Sequence, residues 1–396
     1  MKVIIYLQTV IIVLVLFACT GNSGRGKENV DNDKVFEFIA EPKSIDENVA
    51  FSDIVERYKY IVLETTEECL IGKIEKFIIN NSRIYIQSGG VFCFDMDGNF
   101  LYSINNRGKG PGEFIKIYSF SIDNNIIYIY DNTQARLLCY NSDNGNYIDT
   151  YKVPYSTPSI EILDSSWFVD THQFPKSMFP DSFNGQERLF RLSFDNLLKP
   201  LNKFFPEKRF KLIAEGQGYV SGGNYFFIDP YMLEVYQFAK DRMVPFFSVN
   251  WPGKNLSEAD VLGLINRRLT ITQLVNQDMA ISLNSVLETR TQIYSNLIVN
   301  AKMCFLIYEK KSHKCRVIDC WEIKREDYQP GIGYGGAKCI YGDYICTIGS
   351  YNQRKFTNFN LNNLVENGYE RKEVLKLKSI NENSNPVISL MKIKAL

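Results

Sequence analysis

Histidine is nearly absent from this chain. Two occur in 396 residues, His172 and His313. Neither belongs to an HExxH motif, a paired-histidine spacing or a nucleophile elbow, which leaves zinc hydrolysis and Ser–His–Asp catalysis little to build on. An excess of one charge is missing as well: 45 Lys and Arg stand against 45 Asp and Glu. Nothing resembles the basic stripe of a nucleic-acid binder, so nucleic acid is not an expected partner. The nine cysteines include no CxxC pair. Eight of them (Cys69, Cys93, Cys139, Cys304, Cys315, Cys320, Cys339 and Cys346) are dispersed, several in apolar runs such as VFCF, LLCY and MCFLIY. There a thiol reads as a small buried apolar group, although an oxidising compartment would also allow disulfides. After Leu16 no second apolar span follows. Aromatic residues, in contrast, are plentiful, at 14% with 24 Tyr and 27 Phe, and with β-branched residues they favour strands.

The N-terminus has its own pattern. Lys2 precedes an apolar stretch from Val3 to Leu16 that only Gln8 and Thr9 interrupt. About 14 residues fall short of the ~20 that a spanning helix needs, but suit the apolar core of a signal peptide. The stretch closes on Leu16-Phe17-Ala18-Cys19, which resembles a lipobox; the bulky Phe17 departs from the small or branched residue usual there. The resemblance implies a signal peptide over 1–18 and lipid on Cys19, so the membrane is an expected partner through acyl chains. One chain holds weakly, several hold firmly. Thr20 to Asp33 contains a single apolar residue, Val30, and cannot bury enough surface to order itself. Residues 19–33 are therefore expected to form a flexible tether spanning roughly 20 Å. Removing Lys2 with the leader leaves 44 basic against 45 acidic residues. The location implied is the cell envelope, at the outer membrane. The first acid after Cys19 is Glu28, and the lack of an acidic cluster beside the lipid site favours the periplasmic face.

Internal repeats set the fold expectation. Ile84-Tyr85-Ile86 recurs as Ile127-Tyr128-Ile129, and Val91-Phe92-Cys93-Phe94-Asp95 recurs as Leu137-Leu138-Cys139-Tyr140-Asn141. Each is followed by a turn, Asp97-Gly98-Asn99 and Asn144-Gly145-Asn146, and another strand. Asp-Gly and Asn-Gly supply the positive φ of tight hairpins. A unit of roughly 45 residues made of short antiparallel strands is the period of a propeller blade.

Between these units lies Arg107-Gly-Lys-Gly-Pro-Gly-Glu-Phe114, followed by Phe120-Ser-Ile-Asp-Asn-Asn-Ile-Ile-Tyr-Ile-Tyr-Asp131. Together with Asp95 to Leu101 this stretch resembles the NHL repeat. Val62 to Thr66 and Leu70 to Ile74 look like the entry of the six-bladed NHL/TolB-like propeller lipoproteins of gut anaerobic Gram-negative bacteria. The resemblance is clear over about residues 60–155 and implies an all-β, six-bladed propeller of four-stranded antiparallel blades over 58–396, after a lead-in at 34–57. Degenerate strands continue the pattern: Ser166–Asp170 and Leu189–Asp195, Tyr225–Ile228 and Val235–Phe238, Met303–Tyr308 and Cys315–Ile318, and Gly342–Ile348. A helical insertion is expected near 253–287, opened by a capping box at Ser257-Glu258-Ala259-Asp260 and continued by Val261, Leu264, Ile265 and Leu269 at helical spacing. Ser44 to Tyr58 reads as a short helix or an irregular lead-in. Ring closure should pair Tyr58–Leu63 with strands from the region after Ala337, where Lys338–Tyr341, Tyr344–Ile348 and Lys355–Leu361 read as strands of the last blade and Glu373–Leu377 as a further candidate.

Candidate site residues are few. The glycines and Pro111 of the 107–114 loop set a non-helical path with exposed amides, on which Arg107 and Lys109 could hold an anion; the plainer reading is an interblade loop with Phe114 packed between sheets. Asp170 and His172 form the closest His–Asp pair in the sequence and share a strand face by alternation. Gly331-Ile-Gly-Tyr-Gly-Gly336 fits GxGxxG but follows Pro330 and precedes a strand-like segment, whereas a dinucleotide fingerprint needs a strand before and a helix after. Asp95-x-Asp97-Gly98 lacks the later ligands of a calcium loop and reads as a hairpin turn. No metal or cofactor is expected. These features favour a non-enzymatic accessory module that binds a peptide, glycan or protein, as in outer-membrane nutrient acquisition. The alternative is a propeller enzyme, a glycan lyase or hydrolase, with its site in the central channel.

Overall fold

The computed structural model describes residues 38–153, 157, 160–170, 189–193, 198–200, 217–229, 231–266, 268–275, 277–325, 338–349, 365 and 371–396. The expected leader and tether with Cys19, the residue His172 and the expected 355–361 strand lie outside them. The described chain opens with β1 (Phe38–Ala40), β2 (Ile45–Asp46), the four-residue helix α1 (Phe51–Ile54) and β3 (Val55–Val62). A first sheet follows: β4 (Lys76–Asn80), β5 (Arg83–Ser88), β6 (Gly90–Asp95) and β7 (Phe100–Ile104). The second holds β8 (Ser119–Asp123), β9 (Ile126–Asp131), β10 (Arg136–Asn141) and β11 (Tyr147–Lys152). The third holds β12 (Ile160–Leu163), β13 (Ser166–Asp170), β14 (Leu189–Ser193) and β15 (Leu198–Pro200). The fourth is β16 (Gln217–Ser221), β17 (Asn224–Asp229), β18 (Glu234–Ala239) and β19 (Arg242–Val249). Helices α2 (Glu258–Ile265) and α3 (Ile271–Val275) precede the fifth sheet, β20 (Ala280–Glu288), β21 (Gln292–Val299), β22 (Lys302–Glu309) and β23 (Cys315–Asp319). The sixth comprises β24 (Lys338–Tyr341), β25 (Tyr344–Gly349) and, after α4 (Arg371–Lys378), β26 (Val387–Ile393).

The fold is an all-β propeller, and its packing follows from strand alternation. Both faces of each sheet are buried against a neighbour, so strands read as almost continuous apolar runs. In the first sheet Ile84, Ile86, Phe92 and Phe94 pack toward the sixth, with Ile61, Cys346 and Ile388. Tyr85, Val91 and Cys93 pack the other way, against Phe120, Ile127, Ile129 and Leu138 of the second. One repeat later Ile127 and Ile129 face back while Tyr128 and Tyr130 face forward to Ile160, Ile162 and Trp167 of the third sheet. The Ile-Tyr-Ile repeat is thus a two-residue code for the backward and forward interfaces. Further apolar clusters join the third sheet to the fourth (Phe168 with Tyr225 and Phe227), the fourth to the fifth (Phe247 and Val249 with Leu306 and Tyr308), and the fifth to the sixth (Tyr294 and Phe305 with Ile345 and Met391).

Both chain ends share the sixth sheet. Strand β3 pairs antiparallel with β26, Tyr58 opposite Met391 and Val62 opposite Val387, joining segments more than 300 residues apart. Closing so long a loop costs entropy that grows only logarithmically with length. Burial of Tyr60, Ile61, Val387 and Ile388 at this seam offsets it at roughly 1.5–3 kcal/mol per large apolar side chain.

Four expectations need correction. The helical insertion ends before residue 280: Ala280–Glu288 is strand β20, hydrogen-bonded along β21. Its Val and Leu residues suited either period, and cross-strand pairing decides. Glu373–Leu377 is helical, inside α4, because Val374 and Leu377, three apart, bury one face against Tyr60; β3 itself pairs with β26, within the region after Ala337 expected to close the ring. The lead-in is not separate from the propeller, since β1 pairs parallel with β19 and β2 with β23. The fourth and fifth sheets therefore have five strands, not four. The capping box itself is present: Ser257 Oγ accepts from Asp260 N at 3.2 Å, and Asp260 Oδ2 accepts from Ser257 N at 2.8 Å.

Candidate functional site

The first strands of neighbouring sheets approach one another: β8 meets β12, β12 meets β16, and β20 and β4 both meet β24. These strands line the axis. Antiparallel order then sorts the connections. Those within each sheet from first to second and from third to fourth strand leave at one end; all others leave at the opposite end. At the first end lie two-residue turns with positive φ at both positions, Asn81-Ser82, Asn124-Asn125, Asp164-Ser165, Gly222-Gly223 and Lys240-Asp241, the type I′ geometry that continues strand twist. At the other end lie the long connections, among them 63–75, 105–118 and 250–279.

The 105–118 connection is held from beneath. The buried Asp131, at the end of β9, accepts Ile115 N (2.7 Å) and Gln134 Nε2 (2.8 Å) on Oδ2, and Thr133 N (3.0 Å) on Oδ1. Gln134 Nε2 also donates to Gly108 O at 3.1 Å. Arg136 Nη2 donates to Glu113 O, and Glu113 Oε2 accepts Gly110 N at 2.8 Å. Phe114 is fully buried. Gly112 has φ +65°, and a Cβ there would lie 2.8 Å from the Tyr147 ring. Arg107 Nη1 donates to Ile115 O (2.5 Å), Nη2 donates to Gly89 O, and the guanidinium lies 5.1 Å from the Phe114 ring centroid. Its donors thus serve backbone carbonyls of the loop and of the β5–β6 turn, while Lys109 is exposed on the loop's rim. Ile115 and Tyr118 project from the same connection, and Trp321, 61% exposed, follows β23 at the same end.

A polar cluster ties three axial strands. Lys76 of β4 donates to Phe120 O of β8 (2.9 Å) and pairs with Glu161 of β12 (2.6 Å). Ser121 Oγ donates to Glu161 Oε2 (2.9 Å) and accepts Ile162 N (3.3 Å). The carboxylate, nearly buried, therefore has a cation and a hydroxyl as partners. On β24, Lys338 sits opposite Thr347 beside a small cavity lined by Leu287, Phe305 and Met391. Burial lowers its ammonium to about 8. A larger polar recess of about 420 Å³ lies by the ring seam, between Glu64, Thr65, the Gly98-Asn99 turn, Lys376 and Asn381.

The profile of the family described as Domain of unknown function (DUF4934) matches residues 34–392. The chain belongs to this family. Among solved structures, a protein of Bacteroides fragilis NCTC 9343 described as exported is similar at 20% identity and TM-score 0.67, with 90% of this chain and 99% of that one covered. A member of the DUF4221 family from Bacteroides vulgatus ATCC 8482 is 12% identical at TM-score 0.48, with 87% of this chain and 99% of that one covered. No curated protein matched. At these identities the likeness to the B. fragilis protein concerns the fold.

In this DUF4934 chain the sequence-predicted residues are dispersed. Arg107 and Lys109 share one loop, and Asp170 closes β13 opposite Leu189. Asp95 is a turn residue, its Oδ1 accepting Asp97 N (2.9 Å) and Asn99 N (2.8 Å). Sequence reasoning missed Lys76, Ser121 and Glu161, which meet across strands separated by 40 or more residues. A local signal existed only at Glu161, a carboxylate between Ile160 and Ile162 in a buried strand.

Proposed function

We propose that this propeller is an exported binding module of the cell envelope that recruits a protein partner through the end of the sheets carrying the long connections. The asymmetry of the two ends carries the reading. At one end the described connections are turns of two to five residues, whereas the other also carries the long connections and presents Lys109, Lys116, Tyr118 and Trp321 on segments that a rigid scaffold holds, the usual arrangement for recognition. Tyr and Trp are among the residue types enriched at interface hot spots; Lys116 Nζ lies 4.8 Å from the Tyr118 ring centroid. The axial cluster speaks against the enzymatic alternative: Lys76, Ser121 and Glu161 spend their hydrogen bonds on one another and on Phe120 O and Ile162 N.

The finer reading is a six-bladed ring of NHL/TolB-like type, one blade per sheet, carried by an acylated Cys19 on the periplasmic face of the outer membrane and assisting nutrient uptake. Site-specific photo-crosslinkers at Tyr118 and Trp321 should yield a discrete adduct in intact cells, while those at Asn124 and Asp343 should not. Adducts confined to the latter pair would overturn the assignment of the surface. A mature N-terminal peptide without acyl mass on Cys19 would remove the anchor.

A further inference from the structure

Two of the described thiols meet. Cys339 of β24 lies directly opposite Cys346 of β25, whose Sγ donates to Tyr344 O at 3.8 Å. Directly opposed residues of an antiparallel pair have Cα atoms about 4.5 or 5.5 Å apart, according to whether the pair exchanges backbone hydrogen bonds. Both separations lie within the span of a disulfide. The strands are joined by the tight Gly342-Asp343 turn, with Gly342 at φ +58°, so the register is set locally. Cys346 is fully buried, Cys339 half-buried, and both belong to the core between the sixth and first sheets.

The other described thiols are placed differently. Cys304 opposes Asp319; it faces the fourth sheet, while Cys320 faces the sixth. Cys93 lies between Tyr85 and Tyr102, and Cys139 between Tyr128 and Asp149. Cys315 opposes Tyr308, and Cys69 Sγ donates to Glu64 O at 3.3 Å.

We propose that Cys339 and Cys346 form a cross-strand disulfide that staples the axial strand of the closing sheet to its neighbour. The oxidant is a disulfide donor, a small molecule or an oxidoreductase of the envelope. The Cys339 thiolate attacks one donor sulfur and expels the first donor thiolate, giving a mixed disulfide. The Cys346 thiolate then attacks the Cys339 sulfur and expels the second. The two cysteines lose two electrons and two protons; the donor gains both and leaves as two thiols. Burial and the neighbouring thiol hold Cys339 well above the ordinary thiol range, so the exchange should accelerate as pH rises.

Trypsin cuts after Lys338 and Arg354, which leaves both cysteines in one peptide. The full-length protein is incubated with excess oxidised glutathione, unfolded in N-ethylmaleimide without reductant, and digested. The 339–354 peptide should appear lighter by two hydrogens and unalkylated, while the peptides of the other described cysteines carry the alkyl group. Reduction before alkylation should restore a doubly alkylated peptide. In Cys346→Ser, Cys339 should instead be recovered alkylated or as the glutathione adduct. A doubly alkylated wild-type peptide after oxidation, or either cysteine linked to another partner, would overturn the proposal. The wild-type map decides even where the variant fails to fold, and it does so without reference to export or to the binding surface.

Discussion

The two ends of the sheets use the same chain for opposite purposes. At the short-turn end, backbone conformation is the constraint: pairs of residues sit at positive φ, and the turns touch each other, as Asn81 Nδ2 does Asn125 Oδ1 at 3.1 Å. At the long-connection end, side chains do the holding. Asp131 holds one connection through Ile115 N and orients Gln134, which reaches Gly108 O, and Lys76 and Glu161 bind three axial strands. The contrast teaches where this molecule tolerates change. A turn of two residues has no slack, whereas a long connection can move its backbone while its anchors stay in place.

The same substitution at a closely packed glycine and at an open one separates packing from backbone strain most sharply. Gly98, in the turn between β6 and β7, has φ +85°, and an added Cβ would lie 2.1 Å from Val62 O. Gly98→Ala must displace backbone at the ring seam, and is expected to cost about 3 kcal/mol or more through strain plus overpacking. Gly253, in the connection after β19, has φ +77° with nothing within 4 Å of its Cβ position. Its Ala variant carries the left-handed cost alone, about 1 kcal/mol. Denaturant melts of both variants check this; equal losses would mean that the close approach of Gly98 to Val62 O adds no constraint.

Glu161→Gln tests whether the long-connection end is held from the axis. It removes the charge that Lys76 faces in a nearly buried pair. Breaking such a pair is costly because one charge is left behind, and with Lys76 partly exposed the expected loss is about 2 kcal/mol. Adding Lys76→Met should recover part of that loss in a double-mutant cycle. Strict additivity would mean the pair is not coupled.

The smallest effect is expected at Lys338, whose ammonium is lowered to about 8 from an ordinary 10.5 by burial. Between those values the unfolded chain binds more protons than the folded one, so stability rises with pH across that window. Below pH 8 both states are charged, and the burial cost is present in full. Lys338→Met should therefore stabilise the protein at pH 7, by about 1 kcal/mol after allowance for its partial exposure, and should flatten the rise above pH 8. A wild-type melting temperature without that rise would contradict the assignment.

Much of the architecture could be read locally. The Ile-Tyr-Ile repeat, the Asp-Gly and Asn-Gly turns and the Ser257–Asp260 box each draw on neighbouring residues, because strand period, positive φ and helix capping are properties of a few consecutive positions. The seam strand 58–63 was legible because an apolar strand ahead of the first full repeat needs a partner. Its partner β26 was not, since strand and helix periods are hard to separate in short segments, and Glu373–Leu377 satisfied both until Tyr60 packed against one face. The strands β1 and β2 carry little pattern of their own; the free outer edges of β19 and β23 pair them. The axial cluster was the least visible. Nothing near Lys76 in sequence announces Glu161, and an ion pair between them exists only once three successive sheets stand side by side. The sequence alone determined the repeating unit, its turns and its two buried faces. The tertiary structure decided which ends meet and where charge is buried, because those outcomes depend on distances between residues that the chain itself keeps far apart.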